Sequence, residues 1–304
     1  MKILVTGGAG YKGIILTTRL LGKGYKVTVL DNFMYGYEPI LHLAKHPNLD
    51  IIKHDIRNKF EKIGKFDAIF HLAGISGFPA CASNQHSAQL INVEATRLLR
   101  DSISPNQILI NASTTSMYGK SGEPCDEDTP VDPISTYAIT KMEAEKILMD
   151  RENVVSLRFA TVFGISPRMR MDLMINDFTY KAVKEGIIVL FDSFAKRTFI
   201  HVEDAAKCYI FTLEHFDEMK GGIYNAGGNH LNYSKDEIAE KIREHVTFNV
   251  INSEFKDKDL RHFIVNYDKI EKLGYKPKIS VEEGIRELIK FYGFYEYYSH
   301  YKTI

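Results

Sequence analysis

The chain has 304 residues with 39 basic and 39 acidic side chains, so its formal net charge is zero. That balance excludes a chain built mainly to neutralise nucleic-acid phosphates, and no 18-residue apolar run offers a membrane-spanning helix. Cys81, Cys125 and Cys208 form no Cys-x-x-Cys pair, and the N-terminus enters a strand at once, which predicts a cytoplasmic, reducing setting without a secretion signal.

In chain order, residues 2–6 read as a short buried strand that runs into the glycine cluster TGGAGYKG, with a helix expected over 13–22. Gly7 lets the chain turn tightly off the strand. Gly10 lets backbone approach a diphosphate. Gly13 allows the helix to pack closely on the strand. The free N–H groups at the helix start, around Tyr11, then face an anion. Lys12 is expected to face solvent. A second strand, 26–31, ends at Asp31 with Asn32 beside it. An acid at this spacing accepts hydrogen bonds from the ribose hydroxyls of NAD and repels the 2′-phosphate of NADP. After a third strand, 49–53, Asp55 and Ile56 either meet the adenine or form an acidic loop, and both readings stand. A fourth strand, 67–71, leads into Leu72, Ala73 and Gly74, small residues that let backbone pass close to a cofactor.

A helix is expected over 84–101 and a fifth strand over 107–112, followed by NASTTSMYG. A hydroxyl at that strand end can donate to a substrate oxygen as charge develops. Thr114 is the candidate, and alternation in an extended chain places Ser116 on the same side. The next helix, 136–150, carries Tyr137 and Lys141 four residues apart and therefore on one face. A phenol is a poor base near neutrality. An ammonium beside it favours the phenolate, so Tyr137 can take a proton from a sugar hydroxyl while hydride leaves the same carbon.

A sixth strand, 154–158, ends the regular alternation, and SPRMRMD follows. Beyond it we expect a helix over 173–184, strands at 187–191 and 198–202, a helix over 203–216 and a strand at 222–226. Ser234 and Glu237 form a capping box for a helix over 235–245, and the last helix starts near Val281. The aromatic segment FYGFYEYYSHY, 291–301, is expected to pack on its own domain. Cys81 is a candidate pocket-lining residue without a partner base. His42 and His46 lack a third ligand and read as a solvated helix face, and His201 to Asp204 reads as a helix start capped by an acid, so no metal site is expected.

The repeated strand–helix alternation is that of an α/β chain: a Rossmann-type doubly wound parallel sheet over 1–165. A smaller, mainly C-terminal substrate-binding domain covers 166–304, with parts of 187–225 returning to the first sheet.

In TGGAGYKG, Asp31, HLAG, NASTTSMYG, YAITK, RFATVFG and KRTFIHVEDAA the chain resembles the extended short-chain dehydrogenases/reductases of the sugar-nucleotide epimerase/dehydratase type, from residue 2 to about 290. The resemblance implies catalytic Thr114, Tyr137 and Lys141, a helix asparagine near the cofactor at Asn92, and NAD as that cofactor. It places the diphosphate of a nucleotide sugar against Arg197 and Arg261, with Asn176 nearby and Thr161 after the sixth strand. It also implies a homodimer formed by the helices near 84–101 and 136–150. Dehydratases of this type carry an Asp-Glu pair after the catalytic Thr. Here Thr115 and Ser116 stand there, which speaks against loss of water. ISGFPAC and SPRMRMDL resemble a branch acting on surface-polysaccharide sugars, which includes GDP-manno-heptose C4 dehydrogenases. That branch implies a released 4-keto sugar, with NADH reoxidised by a 2-keto acid such as 2-oxoglutarate. A nucleotide-sugar 4-epimerase is the alternative enzyme, and a non-catalytic NAD-binding regulator the alternative of another class.

Overall fold

The computed structural model describes residues 1–256 and 261–296. Its strands are β1 (Lys2–Thr6), β2 (Lys26–Asp31), β3 (Leu49–Lys53), β4 (Ala68–His71), β5 (Ile108–Thr114), β6 (Lys120–Cys125) and β7 (Val154–Phe159). They continue with β8 (Thr161–Phe163), β9 (Ile187–Phe191), β10 (Lys196–His201), β11 (Ile223–Ala226), β12 (Asn232–Ser234), β13 (Asn249–Ser253) and β14 (His262–Val265). Seven of these form one parallel sheet in the order β11-β7-β5-β4-β1-β2-β3. Successive side chains of a strand point to opposite faces, and the apolar residues are sorted accordingly. Ile3, Val5, Phe70 and Ile110 join a core on one face, while Leu4, Ile69 and Leu109 join a second core on the other.

The helices α1 (Tyr11–Gly22) and α7 (Val202–Glu214) pack together on the first face. On the second, α4 (Ala95–Ser102) and α5 (Thr136–Leu148) bring Leu99 and Leu148 onto the sheet. Because β1 has β2 on one side and β4 on the other, the winding reverses between β1 and β4. A crevice opens over the strand ends at such a reversal.

The helix expected over 84–101 is a continuous helical run over 85–102, in which α3 (Gln85–Gln89), a π-helical turn (Leu90–Glu94) and α4 follow one another without a break, and a short helix α2 (Phe78–Ser83) precedes it. Asn84, with extended φ of −146°, separates α2 from this run and starts it by accepting from Ser87 N–H at 2.8 Å. Helix α1 starts at Tyr11, two residues before the expected Gly13, because Gly10 N–H donates to Gly7 O and closes the turn early.

The smaller lobe packs Phe163, Ile175, Phe199, Leu288 and Tyr292 into its own core. Here β10 lies between β8 and β12, and β9 pairs with β13. Helix α6 (Met174–Lys184) packs on the helix Val281–Phe294. Of the stretch 187–225, it is β11 that enters the large sheet, beside β7. The capping box at Ser234 and Glu237 starts the helix Lys235–Arg243. In the aromatic segment, Tyr292 is buried and its hydroxyl donates to Asn176 O at 3.1 Å. Residues 297–301 of that segment lie outside the described residues.

Candidate active site

A crevice runs along the C-terminal ends of β2, β1, β4, β5 and β7. At one end stands Asp31. Its two oxygens accept from Ala9 N–H at 3.0 Å and Phe33 N–H at 2.9 Å, and each keeps a lone pair for a further donor. Burial pushes its carboxyl up, against those backbone bonds. Asn32, Asp55 and Ile56 line the same end. Asp55 is already gripped by Arg57, Nη2 to Oδ2 at 2.6 Å, which holds its carboxyl low.

The glycine turn lies at the middle. Gly7 has φ +71°, and a Cβ there would come within 2.8 Å of Ala73 backbone. A Cβ on Gly13 would sit 2.1 Å from Gly7 O. The turn is therefore a cradle that side chains would fill, beneath first-turn N–H groups without intrahelical acceptors. Gly10, Tyr11, Leu72, Ala73 and Gly74 complete its walls. The Tyr11 hydroxyl leaves the crevice to donate to Gly164 O at 2.7 Å, tying the turn to the smaller lobe.

At the other end, Thr114, Ser116, Tyr137, Lys141 and Thr161 meet. Ser135 caps α5 by accepting from Ala138 N–H at 3.2 Å, and so fixes where the Tyr137–Lys141 face points. Lys141 is buried, and desolvation lowers its ammonium to about 8 despite opposing influence from Glu145 and Cys81. Thr114 Oγ1 accepts from Ser116 N–H at 3.1 Å. Ser116 shares the site by way of a 3-10 turn, Thr115–Tyr118, and not by strand alternation. Arg261 reaches across and donates to Ser116 Oγ at 2.5 Å. Thr115 turns away and donates to Phe159 O at 3.1 Å, so that position presents nothing to the crevice.

Several expected residues lie elsewhere. Asn92 is buried and braces: its Oδ1 accepts from Ile75 N–H at 2.8 Å and its Nδ2 donates to Ile75 O and Thr140 Oγ1, both at 3.0 Å. Asn176 is buried behind the wall, accepting from Gly164 N–H at 3.0 Å and donating to Arg170 O at 2.8 Å. Arg197 is buried on β10 and is not among the residues lining the crevice. Cys81 is fully buried, donates to Ile75 O at 3.5 Å, and has its thiol pushed by burial to about 11, which makes it unreactive. The start of α7 is capped by the His201 ring and not by an acid, while Asp204 accepts from the Lys278 and Ile279 N–H groups.

Two arginines that line the crevice were not singled out from the sequence. Arg168 stacks 4.0 Å from the Tyr35 ring centroid. Arg170 is held by Asp172 and Ser76, its Nε donating to Asp172 Oδ1 at 3.0 Å. Their spacing of two in SPRMRMD, which in an extended segment faces one side, was the available signal. Lys12, expected in solvent, instead lines the crevice, with its ammonium over the Phe159 ring. Among the described residues no group of three His, Cys, Asp or Glu is placed to hold a metal ion, and no helix is long and apolar enough to cross a membrane.

A model of the NAD-dependent epimerase/dehydratase family matches residues 3–227. UDP-glucuronic acid decarboxylase 1 of Arabidopsis thaliana is 29% identical, over 95% of this chain and 69% of its own length. UDP-glucuronate 4-epimerase 4 of the same plant is 27% identical, over 98% and 76%. Among solved structures, the UDP-glucose 4-epimerase of Thermus thermophilus in complex with NAD superposes with a TM-score of 0.83 at 24% identity, covering 97% of this chain and 99% of that one.

Proposed function

The chain belongs to the NAD-dependent epimerase/dehydratase family, and on that premise we propose that it is a UDP-sugar 4-epimerase using NAD. The observation that carries the reading is the convergence of Thr114, Tyr137 and Lys141 at one end of a crevice whose other end is Asp31. The residues fit the cofactor. Asp31 suits ribose hydroxyls, and the glycine cradle under the start of α1 suits a diphosphate.

Held by Asp31 and the glycine cradle, NAD would supply a reversible hydride acceptor for C4 of the sugar. Tyr137 accepts the C4 hydroxyl proton and gives it back. Lys141, four residues on, supplies the positive charge that favours the phenolate. The Thr114 hydroxyl donates to the C4 oxygen as it gains negative charge. Arg261, held by Ser116, is the phosphate-binding candidate within the crevice. The outer faces of α4 and α5 expose Leu98 and Ile139, which suits a homodimer formed through these helices.

The reading in which the 4-keto sugar is released and a 2-keto acid such as 2-oxoglutarate reoxidises NADH, as for GDP-manno-heptose, has less support. The named relatives act on UDP-sugars. One experiment separates the two. The protein is incubated with UDP-glucose, UDP-glucuronic acid and GDP-mannose, and products are identified by proton NMR while absorbance is followed at 340 nm. A C4-inverted UDP-sugar with no lasting absorbance is expected. A lasting absorbance that 2-oxoglutarate clears would overturn the epimerase in favour of the dehydrogenase.

A further inference from the structure

The second residue of α1 does not face solvent. Lys12 folds inward along the crevice, and its ammonium lies 4.4 Å from the centroid of the Phe159 ring and 5.7 Å from that of Tyr209. It donates to the Tyr209 hydroxyl at 3.3 Å. Among the described residues it makes no ion pair with a carboxylate. Phe159 is the last residue of β7 and lies directly opposite Thr114 on β5. The ammonium is therefore level with the catalytic end of the crevice, one strand away from Thr114. A dinucleotide crosses a doubly wound sheet at its switch point. With Asp31 marking the adenosine side, the nicotinamide side is the one that Lys12, Thr114, Tyr137 and Lys141 share.

A cation placed there without a counter-ion acts differently on the two redox forms of the cofactor. The oxidised nicotinamide ring is positively charged and the reduced ring is neutral. Building on the NAD-dependent reading above, we propose that Lys12 is a charge that biases the bound cofactor toward its reduced form, and so favours oxidation of the sugar at C4. Aromatic faces stabilise the ammonium without neutralising it, so its field still reaches the ring. Lys141 from α5 and Arg170 from the segment after β8 add positive charge from other sides, whereas the Cys208 thiol and Tyr209 from α7 are neutral near pH 7. Desolvation, helped by those two cations, lowers the Lys12 ammonium to about 7. The bias should therefore weaken as pH rises through neutrality.

The test needs no sugar. Dissociation constants of the apoprotein for NAD and for NADH are measured by calorimetry and by NADH fluorescence, and their ratio is the readout. Lys12→Met and Lys12→Gln should lower the preference for NADH by about tenfold, the effect of one nearby charge at protein-like screening. Lys12→Arg, which stays charged, should keep it. In the unmutated protein the preference should fall between pH 6 and pH 8.5, and in Lys12→Arg that fall should be smaller. Equal ratios in the original chain and the neutral variants, or a preference flat with pH in the original chain, would overturn the proposal. If the original chain bound neither nucleotide, the NAD-dependent reading itself would fall and this proposal with it. If it bound both with an unaltered ratio in the variants, only the role of Lys12 would fall.

Discussion

Glu145 lies one helical turn beyond Lys141 on α5 and is the anion of a buried network. Its Oε1 accepts from Arg158 Nε at 3.0 Å and Nη2 at 2.8 Å, and its Oε2 accepts from Ser156 Oγ at 2.9 Å. Both ion-pair side chains are nearly enclosed, 7% and 4% exposed. Glu145→Gln keeps the shape and one oxygen acceptor but strands the Arg158 charge against the Tyr118 hydroxyl and Glu127 O. Removing one member of a buried pair costs about 3–5 kcal/mol. The retained acceptor puts the expected loss near the lower end. Urea unfolding of the two proteins, compared at equal slope, reads it directly.

The same substitution reports on the site. Glu145 opposes the desolvation that lowers Lys141 to about 8, so its loss lowers that value further. On the proposed mechanism the Lys141 ammonium favours the Tyr137 phenolate, and that ammonium is present below its pKa and lost above it. The alkaline limb of the activity–pH profile should therefore begin at lower pH in Glu145→Gln. A loss of stability under about 1 kcal/mol, well short of what a stranded buried charge costs, would refute the packing argument. An alkaline limb that stays in place would refute the electrostatic one.

Tyr137→Phe keeps the ring and removes the base, so turnover should fall by at least ~10²-fold while NAD affinity, measured by calorimetry, stays within error. Asp31→Ala removes the acceptor for two backbone N–H groups and, on the proposed reading, for the cofactor ribose. NAD binding should weaken by roughly 1.5–3 kcal/mol, and an unchanged NAD-to-NADP affinity ratio would count against the ribose assignment. Gly13→Ala drives a Cβ to 2.1 Å from Gly7 O, a backbone atom that cannot swing away. It should cost roughly 1–3 kcal/mol or more in stability and abolish nucleotide binding, and a variant that melts and binds normally would contradict the cradle.

Reading the residues in order was enough for the strands of the large sheet, the glycine turn with Asp31, and the Tyr137–Lys141 face. Each depends on local pattern: period two in a strand, a spacing of four on a helix, a turn that only glycine can make. Local pattern did not reveal β6, whose Lys120–Cys125 run contains Gly122 and Pro124 and takes its register from β14, more than a hundred residues away. Nor did it reveal the π-helical turn Leu90–Glu94 inside the 85–102 helical run, where Asn92 turns inward to partners on other elements. Asn176 looked like a phosphate contact, yet its side chain is consumed by backbone at Gly164 and Arg170. Lys12 marks the boundary most clearly. At the start of a surface-facing helix a lysine belongs in water, and only the aromatic floor that Phe159 and Tyr209 bring from β7 and α7 makes an inward path for it. Where a side chain's partner lies within a helical turn or a strand repeat, the sequence carries the answer. Where the partner arrives from a distant element, only the folded chain decides whether a charge meets water or the crevice.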